Sequence, residues 1–396
     1  MKKEYKINKP SKFWMRVPTT IAGPFIKLKY NIHIDKKELK GLKAPFILIG
    51  NHASNLDPLF IQYAINPRVC NFVAGYTYFQ NKFLNWYFTK CGIIRRFVYQ
   101  ADFKSMKDML WVLKNNGSLA FFPGGRLPSC GESFLATEGL AKLIKMANVS
   151  VVACKIDGAY LSKPKWATSH KRRGRIDLKF SVILNQEDIQ KLSNVEILKI
   201  CNDSIYSNDY EWNRDKQIKY GKKKLAEGLE STLYRCPKCG SEFEMKTSNN
   251  SIKCKHCDFE LELEPTGFFK TNDYFEHPLQ YYEWQRNSVD KLIEDIHFKV
   301  NFPAKVDITD VHTLDFKQGI GEIELSYNNI IFKGYINNEL TNVEFNIDEL
   351  ISLPYKVNEN FEIAKGADVY KFYPDNGIIV SKLCLIVEQL YKKKHQ

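Results

Sequence analysis

The sequence lacks any long hydrophobic run. A helix that crosses a bilayer needs about 18 or more consecutive apolar residues, whereas the apolar runs of this 396-residue chain, such as Pro45–Gly50, have only the length of a strand. The basic segment 1–12 is not followed by the uninterrupted apolar stretch of a signal peptide. We therefore expect a cytoplasmic protein, or one bound to a membrane from the cytoplasmic side, with no transmembrane helix.

Internal repeats and low-complexity tracts are also missing. Hydrophobic residues make up 44% and charged residues 26% of the chain, which is the composition of a folded protein. One hydrophobic core rarely supports this length, so we expect two or three domains. The formal net charge of +13 favours an anionic partner, and a nucleic acid, an anionic membrane surface and a phosphorylated substrate all fit that charge.

Short apolar runs alternate with segments of helical periodicity in the first part of the chain. Pro45–Gly50 and Ser118–Phe122 are predicted strands, and Pro58–Ile65 is a predicted helix. Ser105–Leu113 is a further predicted helix, with Ser105 as its N-cap. This alternation indicates an α/β fold with a mostly parallel sheet flanked by helices.

Four of the ten cysteines form two Cys-x-x-Cys pairs, Cys236 with Cys239 and Cys254 with Cys257. Two such pairs at this spacing predict a zinc ribbon in which four thiolates bind one structural Zn²⁺ ion. Redox chemistry is the weaker interpretation, because it needs only one pair at the start of a helix. A zinc ribbon on a basic protein also suggests nucleic-acid binding, but the aromatic pattern of a single-strand binder is missing, so nucleic acid is the less favoured partner.

The segment Asn51–Pro58 follows the first predicted strand of the α/β pattern. Sites in α/β sheets form at the carboxyl ends of strands. His52 and Asp57, five residues apart across a strand-to-helix turn, can meet through one imidazole nitrogen and leave the other as a general base. Taken alone, a histidine that caps a turn and an aspartate that caps a helix would be the simpler interpretation.

Four segments in order resemble the glycerolipid acyltransferase family. Asn51–Pro58 is similar to the first family motif, Asn-His-x-x-x-x-Asp, and Cys91–Arg96 resembles its Gly–apolar–basic segment. Phe122–Arg126 resembles the Phe-Pro-Glu-Gly block, and Val149–Ile156 resembles the last apolar block. The resemblance covers about residues 15–230 and points to the 1-acylglycerol-3-phosphate acyltransferase (PlsC-type) domain.

The resemblance implies roles for individual residues. His52 would be the catalytic base and Asp57 its partner. The substrate-binding residues that it implies are Asn51, Ser54, Arg95, Arg96, Pro123, Gly124, Gly125 and Arg126. Gly124 departs from the pattern, because the family carries glutamate there, and Glu132 is a substitute carboxylate nearby.

The implied function is transfer of a fatty-acyl group from acyl-CoA or acyl-carrier protein to the hydroxyl of 1-acylglycerol-3-phosphate (lysophosphatidic acid). Two alternatives stay open. The acceptor is another lysolipid or glycerol 3-phosphate, or the domain is a catalytically degenerate lipid-binding scaffold. The aromatic segment 76–88, together with Phe13 and Trp14 among lysines, indicates peripheral attachment to an anionic membrane surface on its inner face.

The sequence divides into four predicted parts. Residues 1–230 are the acyltransferase domain, 231–265 the zinc ribbon and 266–300 a helical linker. Residues 301–396 show short strands separated by asparagine turns and followed by one amphipathic helix. This last part is predicted to be a β-rich domain that resembles a pleckstrin-homology-like barrel, whose partner the sequence does not identify.

Overall fold

A computed structural model describes residues 7–96, 102–168, 172–311, 313 and 315–395. The chain divides into two compact units. The first unit lies within residues 1–165 and 170–221, and the second within residues 166–169 and 222–396. A short excursion of the chain at 166–169 therefore belongs to the second unit.

The first unit is an α/β layer structure. Its strands are β1 Ile32–Asp35, β2 Ile47–Gly50, β3 Asn71–Gly75, β4 Ile94–Arg96, β5 Leu119–Phe121, β6 Val151–Asp157 and β7 Ile176–Leu184. Its helices are α1 Lys12–Lys29, α2 Asp57–Ile65, α3 Lys82–Lys90, α4 Phe103–Lys114, α5 Glu138–Ala147, α6 Ala159–Ser162, α7 Gln186–Lys191, α8 Asn194–Ile205 and α9 Asp209–Arg214. Short 3-10 segments cover Lys37–Leu39 and Tyr76–Gln80.

The seven strands form one sheet in the order β1-β7-β6-β2-β5-β3-β4. All neighbouring pairs are parallel except β6 and β7, which are antiparallel. The predicted mostly parallel sheet flanked by helices is therefore confirmed. Because β6, β2, β5, β3 and β4 run in one direction, their carboxyl ends meet at one edge of the sheet.

Strand β2 lies in the middle of this sheet and is buried along its whole length. Ile47 and Ile49 join the core that α4, α5 and α8 cover on one face. Ile61 of α2 covers the other face, with its Cδ1 3.5 Å from the position that a Cβ on Gly50 would take. A strand that is covered on both faces is apolar throughout, which explains the unbroken Phe-Ile-Leu-Ile run.

Helix α4 begins earlier than predicted. Its N-cap is Asp102, whose carboxylate accepts a hydrogen bond from the Ser105 backbone N–H at 2.9 Å. The prediction of Ser105 as the N-cap was wrong, because Asp102 satisfies the free N–H groups of the first turn with a charged acceptor.

The second unit combines the cysteine-rich segment with a β-rich region. Its strands are β8 Met245–Ser248, β9 Ser251–Cys254, β10 Glu260–Glu262, β11 Lys299–Asp310, β12 Phe316–Ser326, β13 Asn329–Ile336, β14 Glu339–Asn346, β15 Tyr355–Lys356, β16 Asn360–Lys365 and β17 Asp368–Pro374. Its helices are α10 Pro278–Leu292 and α11 Ile379–Lys394, with 3-10 segments at Leu229–Ser231 and Ile347–Glu349. The small sheet has the order β10-β9-β8, and the large antiparallel sheet has the order β14-β13-β12-β11-β17-β16-β15.

Side-chain contacts join the parts of the second unit. Gln285 of α10 is fully buried, accepts a hydrogen bond from the Arg235 N–H at 3.0 Å and donates one to the Thr232 carbonyl at 3.0 Å. Ser381 of α11 donates to the Ser231 carbonyl. The cysteine-rich segment, α10 and the β-rich region therefore form one body within this unit.

Residues 166 and 168 of this excursion make backbone contacts to the segment that opens the second unit. Trp166 is 4% exposed, and its carbonyl oxygen lies 2.1 Å from the position that a Cβ on Gly228 would take. Gly228 has a φ of +95°, so glycine is required there for the conformation as well as for the close approach. Thr168 donates its N–H to the Glu227 carbonyl at 3.2 Å.

None of the helices formed by the described residues is both long enough and apolar enough to span a bilayer.

Candidate active site

The predicted site residues lie at the carboxyl edge of the sheet in the first unit. Asn51 and His52 follow β2 directly, and Phe122–Arg126 follow β5, its neighbour. Arg95 and Arg96 end β4 at the outer end of the same edge. Parallel pairing therefore brings to one edge three segments that are far apart in the sequence.

His52 and Asp57 form a hydrogen-bonded pair. The distance between His52 Nδ1 and Asp57 Oδ2 is 2.9 Å, and the side chains are 20% and 0% exposed. His52 Nε2 has no hydrogen-bond partner among the described residues. A carboxylate at Nδ1 favours the tautomer with the proton on Nδ1 and a lone pair on Nε2, which is the arrangement of a general base.

Asp57 is held in place by the turn that precedes it. Its Oδ2 also accepts hydrogen bonds from the N–H groups of Ala53 at 2.7 Å and Ser54 at 2.8 Å. Asp57 is the first residue of α2, and Pro58 follows it in the first turn. These contacts and its place in the first turn of the helix fix the position of Asp57 before any substrate binds.

Phe122 fixes the plane of the imidazole. The two rings are stacked, with centroids 4.3 Å apart and an interplanar angle of 13°. The ring therefore has one edge on Asp57 and one face on Phe122, and these two contacts fix the direction of Nε2. The sequence analysis treated Phe122 only as part of a block, because stacking between neighbouring strands leaves no signal in the sequence.

Asn51 and Ser54 hold the backbone of the site. The Asn51 amide accepts from the Ile156 N–H at 2.7 Å and donates to the Ile156 carbonyl at 2.7 Å. The Ser54 hydroxyl accepts from the Leu56 N–H at 3.0 Å. Both side chains are 2% exposed. Asn51 thus joins the ends of β2 and β6, and Ser54 shapes the turn between His52 and Asp57.

The loop after β5 is closely covered. A Cβ on Gly124 would lie 2.5 Å from the Phe134 carbonyl oxygen, which is much closer than any real Cβ contact. The glutamate that the family carries here would therefore force the backbone of Phe134 to move. Gly125 has a φ of +76°, and its N–H closes a turn onto the Phe122 carbonyl at 3.0 Å. The Gly124 N–H, in contrast, has no hydrogen-bond partner among the described residues.

The three arginines of the predicted site are not equivalent. Arg126 places its guanidinium 3.6 Å from the Phe134 ring centroid. Arg95 lies 4.6 Å from the ring centroid of Phe79, and its Nη2 is 3.4 Å from Asn85 Oδ1. Consecutive residues of a strand face opposite sides of the sheet, and Arg96 lines a cavity together with Pro123. Arg95 and Arg96 therefore have different neighbours and do not face one common anion.

The cavity next to Arg96 was not predicted. Its volume is about 190 Å³. The lining residues are Arg96, Asp102, Ser105, Met106, Met109, Phe121, Pro123, Thr137, Gly139, Leu140 and Leu143. Most of them come from the inner faces of α4 and α5, whose helical periodicity predicts burial but cannot show that a space remains between them.

Acidic groups follow β6 at the same edge. Ser207 donates its hydroxyl to Asp157 Oδ1 at 2.7 Å, and burial raises the pKa of Asp157. Asp209 accepts the N–H groups of Gly158 at 2.9 Å and Leu161 at 3.0 Å. Burial raises the pKa of Asp209 to about 7, so this carboxyl group changes its charge near neutral pH.

The four predicted zinc ligands lie together in the second unit. The sulfur atoms of Cys236, Cys239, Cys254 and Cys257 are all within 4.8 Å of one another. The Cys236–Cys257 and Cys239–Cys254 sulfur distances are 3.6 Å and 3.7 Å. Four sulfurs at about 2.3 Å around a tetrahedral zinc ion would be about 3.8 Å apart, so the residues fit the ion.

Donors around the sulfurs also suit thiolates. The His256 N–H donates to Cys254 Sγ at 3.3 Å, and the Ser241 hydroxyl lies 2.8 Å from Cys239 Sγ. The hydrogen bonds from Ser241 lower the pKa of Cys239 to about 6. A thiolate rather than a thiol binds metal, and these donors favour the thiolate of Cys239, one of the four predicted ligands.

Part of this chain is similar in sequence to known proteins. The profile of the Acyltransferase family matches residues 31–157. The 1-acyl-sn-glycerol-3-phosphate acyltransferase of Streptococcus pneumoniae (strain ATCC BAA-255 / R6) is 25% identical over 179 residues, which are 43% of this chain and 64% of that protein. The chain thus spans less than two thirds of the length of this curated relative.

A solved structure is also similar. The crystal structure of the 1-acyl-sn-glycerophosphate (LPA) acyltransferase, PlsC, from Thermotoga maritima aligns with a TM-score of 0.38 and 16% identity. The alignment covers 52% of this chain and 94% of that one. The segment matched by the family profile contains His52, Asp57 and Phe122–Arg126. Residues 31–157 of this chain therefore match the profile of the acyltransferase family, which the sequence resemblance had also indicated.

Proposed function

We propose that this protein transfers a fatty-acyl group from an acyl thioester, acyl-CoA or acyl-carrier protein, to the hydroxyl of a lysophospholipid of the 1-acylglycerol-3-phosphate type. The observation that carries the proposal is the pair of His52 and buried Asp57, with His52 Nε2 unbonded to any described residue at the carboxyl edge of the sheet. The family match of residues 31–157 supports an acyl-transfer reaction, and the curated relative suggests the acceptor.

The proposed reaction is direct. His52 Nε2 removes the proton from the acceptor hydroxyl, and the hydroxyl oxygen attacks the thioester carbon. The C–S bond then breaks, and the imidazolium returns its proton to the leaving thiolate, so that an ester and a free thiol are formed. Asp57 stabilises the imidazolium between these two steps.

The loop after β5 supports the proposal through its backbone. The Gly124 N–H, which no described residue accepts, lies two residues after Phe122, which stacks on His52. A backbone N–H near the reacting carbonyl can stabilise the oxyanion of the tetrahedral intermediate. We assign this role to Gly124 and not to Gly125, whose N–H is already used inside the turn.

The cavity beside Pro123 suits an acyl chain. Met106, Met109, Leu140 and Leu143 provide apolar walls, and burying methylene groups against such walls is favourable by about 0.8 kcal/mol each. We propose that it receives part of the chain of one substrate, while Arg96 at its wall interacts with a phosphate.

Helices α1 and α3 suit a membrane surface. Ile21, Phe25 and Leu28 of α1 are 76%, 68% and 84% exposed, among basic residues at both ends of the helix. Trp14 of α1 contacts Trp86 of α3 at a centroid distance of 5.1 Å. Exposed apolar and aromatic side chains beside lysines favour the headgroup layer of an anionic bilayer, where a lysophospholipid is found.

The cysteine cluster of the second unit is proposed to bind Zn²⁺. Four cysteine ligands complete a tetrahedral shell and leave no position for a substrate. The role proposed for the ion is therefore structural.

The test is transfer of radiolabelled oleoyl groups from oleoyl-CoA or acyl-carrier protein to lysophosphatidic acid by the full chain. We expect activity in the wild type and a loss of about 10²–10⁴-fold in His52→Ala. His33→Ala is the matched control, because His33 is exposed on β1. If the wild type is inert with every acceptor and donor but still binds anionic vesicles, the enzyme proposal is wrong and the lipid-binding scaffold is the better account.

A further inference from the structure

Residues 132–134, here called the strap, pass over the end of β2. On one side, the Ser133 N–H donates to the Ser207 carbonyl at 2.9 Å, and Ser207 is bonded to Asp157 at the end of β6. On the other side, the Phe134 carbonyl fills the Cβ position of Gly124, in the loop after β5. Because β2 lies between β6 and β5 in the sheet, the strap crosses the strand end from which His52 projects.

The strap carries one carboxylate, Glu132. Its backbone forms an antiparallel bridge with Asn208, and its Oε1 accepts a hydrogen bond from the Tyr206 hydroxyl at 3.0 Å. Burial and the neighbouring Glu132 carboxylate raise the pKa of Tyr206 to about 12, so the phenol remains a hydrogen-bond donor. The carboxylate is therefore held in a fixed place.

Glu132 is half-buried, yet it has no cationic partner among the described residues. Its second oxygen likewise accepts no hydrogen bond from them. A carboxylate oxygen that no neighbouring side chain or backbone group satisfies can accept a hydrogen bond from a bound molecule. The three arginines of the site cannot accept a hydrogen bond from a substrate, since a guanidinium donates hydrogen bonds and accepts none.

We infer that Glu132 is a positioning residue that accepts a hydrogen bond from a headgroup donor of the acceptor, a hydroxyl or an ammonium group other than the hydroxyl that is acylated. This inference rests on the proposed acyl transfer to a lysophospholipid, and it moves the preferred acceptor from lysophosphatidic acid to a lysophospholipid with a larger headgroup. The preferred acceptor is a lysophospholipid whose headgroup carries such a donor beyond the phosphate. Lysophosphatidic acid has only the reacting hydroxyl and serves as the reference acceptor.

The experiment measures kcat and KM of the full chain with lysophosphatidic acid, lysophosphatidylglycerol and lysophosphatidylethanolamine, for wild type, Glu132→Gln and Tyr206→Phe. Glutamine keeps the shape and can still accept from Tyr206, but it lacks the charge. We expect Glu132→Gln to lower kcat/KM by about 10- to 100-fold, mainly through KM, for at least one acceptor with a headgroup donor. The reference acceptor should change less than about 3-fold, and Tyr206→Phe should give a smaller loss with the same preference.

The two donor-bearing lipids distinguish a hydroxyl from an ammonium partner. Glu187→Gln is the matched control, because Glu187 is exposed in the first turn of α7. An equal loss with all three acceptors, or no loss with any, overturns the inference while the enzyme proposal stands. A wild type that acylates none of the three lipids from either donor removes both.

Discussion

The cysteine cluster and the His52 site differ in how many of their polar atoms have a binding partner. In the cluster, four sulfur atoms face one another and can all bind one ion. At the other site, Asp57 Oδ2 accepts three hydrogen bonds while His52 Nε2 accepts none from the described residues. When all the groups of a site bind a common partner, the site stabilises the fold. A site that holds one group rigidly and leaves it without a partner can use that group in a reaction.

The largest effect in the structural half of this comparison is expected from removal of the proposed Zn²⁺ ion. Because a four-cysteine zinc site contributes roughly 10–16 kcal/mol, we expect a zinc chelator or Cys254→Ser to unfold the cysteine-rich segment. Zinc content by mass spectrometry and thermal unfolding of the full chain check this. The control is Cys384→Ala, since Cys384 is buried in α11 and is not a ligand. Unchanged unfolding after complete loss of zinc would contradict the prediction.

Changing Asp57 tests the reactive side. Asp57→Asn removes the charge that stabilises an imidazolium, so we expect the rate of acyl transfer to fall by about 10²–10⁴-fold. The asparagine side chain keeps an oxygen that can accept the Ala53 and Ser54 N–H groups, so the protein should remain folded. Asp203→Asn, on the exposed face of α8, is the control for the loss of one charge. A rate close to wild type in Asp57→Asn would argue against the base.

Substitutions at two glycines test whether the loop after β5 lies against the strap. Gly124→Ala should lower the free energy of unfolding by about 1–3 kcal/mol, because its Cβ meets the Phe134 backbone. Gly139→Ala, in α5 with open space around it, should instead raise it by up to about 1 kcal/mol. Chemical denaturation of both variants gives the two signs, and equal effects would show that the strap does not lie against Gly124.

The pH dependence of stability tests the acidic end of β6. Asp209 has a folded pKa of about 7 against an ordinary value of 3.8, so the folded state holds this proton more tightly than the unfolded state. Its contribution is therefore greatest below pH 3.8 and is lost as the pH rises to about 7, with a slope of at most about 1.4 kcal/mol per pH unit. Asp209→Asn should flatten that part of the unfolding profile. A wild-type slope that persists in this variant would show that other groups cause it.

The sequence was sufficient to predict contacts between groups that lie close together in the chain. His52 and Asp57 are five residues apart, and each cysteine pair spans four positions, so their spacing in the chain sets their geometry. The strand and helix alternation likewise predicted the layered fold. Helix α1 was missed because Pro18 and Pro24 lie inside it and proline normally argues against a helix interior.

Contacts between distant segments could not be predicted. Asn51 binds Ile156 across 105 residues, and Tyr206 reaches Glu132 across 74. These pairs depend on the strand order, on the antiparallel β6–β7 pairing and on the path of the strap. No periodicity encodes such features in a single sequence. For that reason the glycine at position 124 looked like a lost carboxylate, whereas the structure shows a position with no room for a side chain.

The excursion at 166–169 has a practical consequence for the design of truncated forms of this protein. A fragment that ends at residue 221 would keep Trp166 but lose Glu227 and Gly228, its neighbours in the second unit. The hydrogen bond from the Thr168 N–H to the Glu227 carbonyl and the close approach of the Trp166 carbonyl to Gly228 would then be lost. Poor solubility of such a fragment could then come from the loss of these backbone contacts and would not by itself show that the α/β sheet had failed to fold.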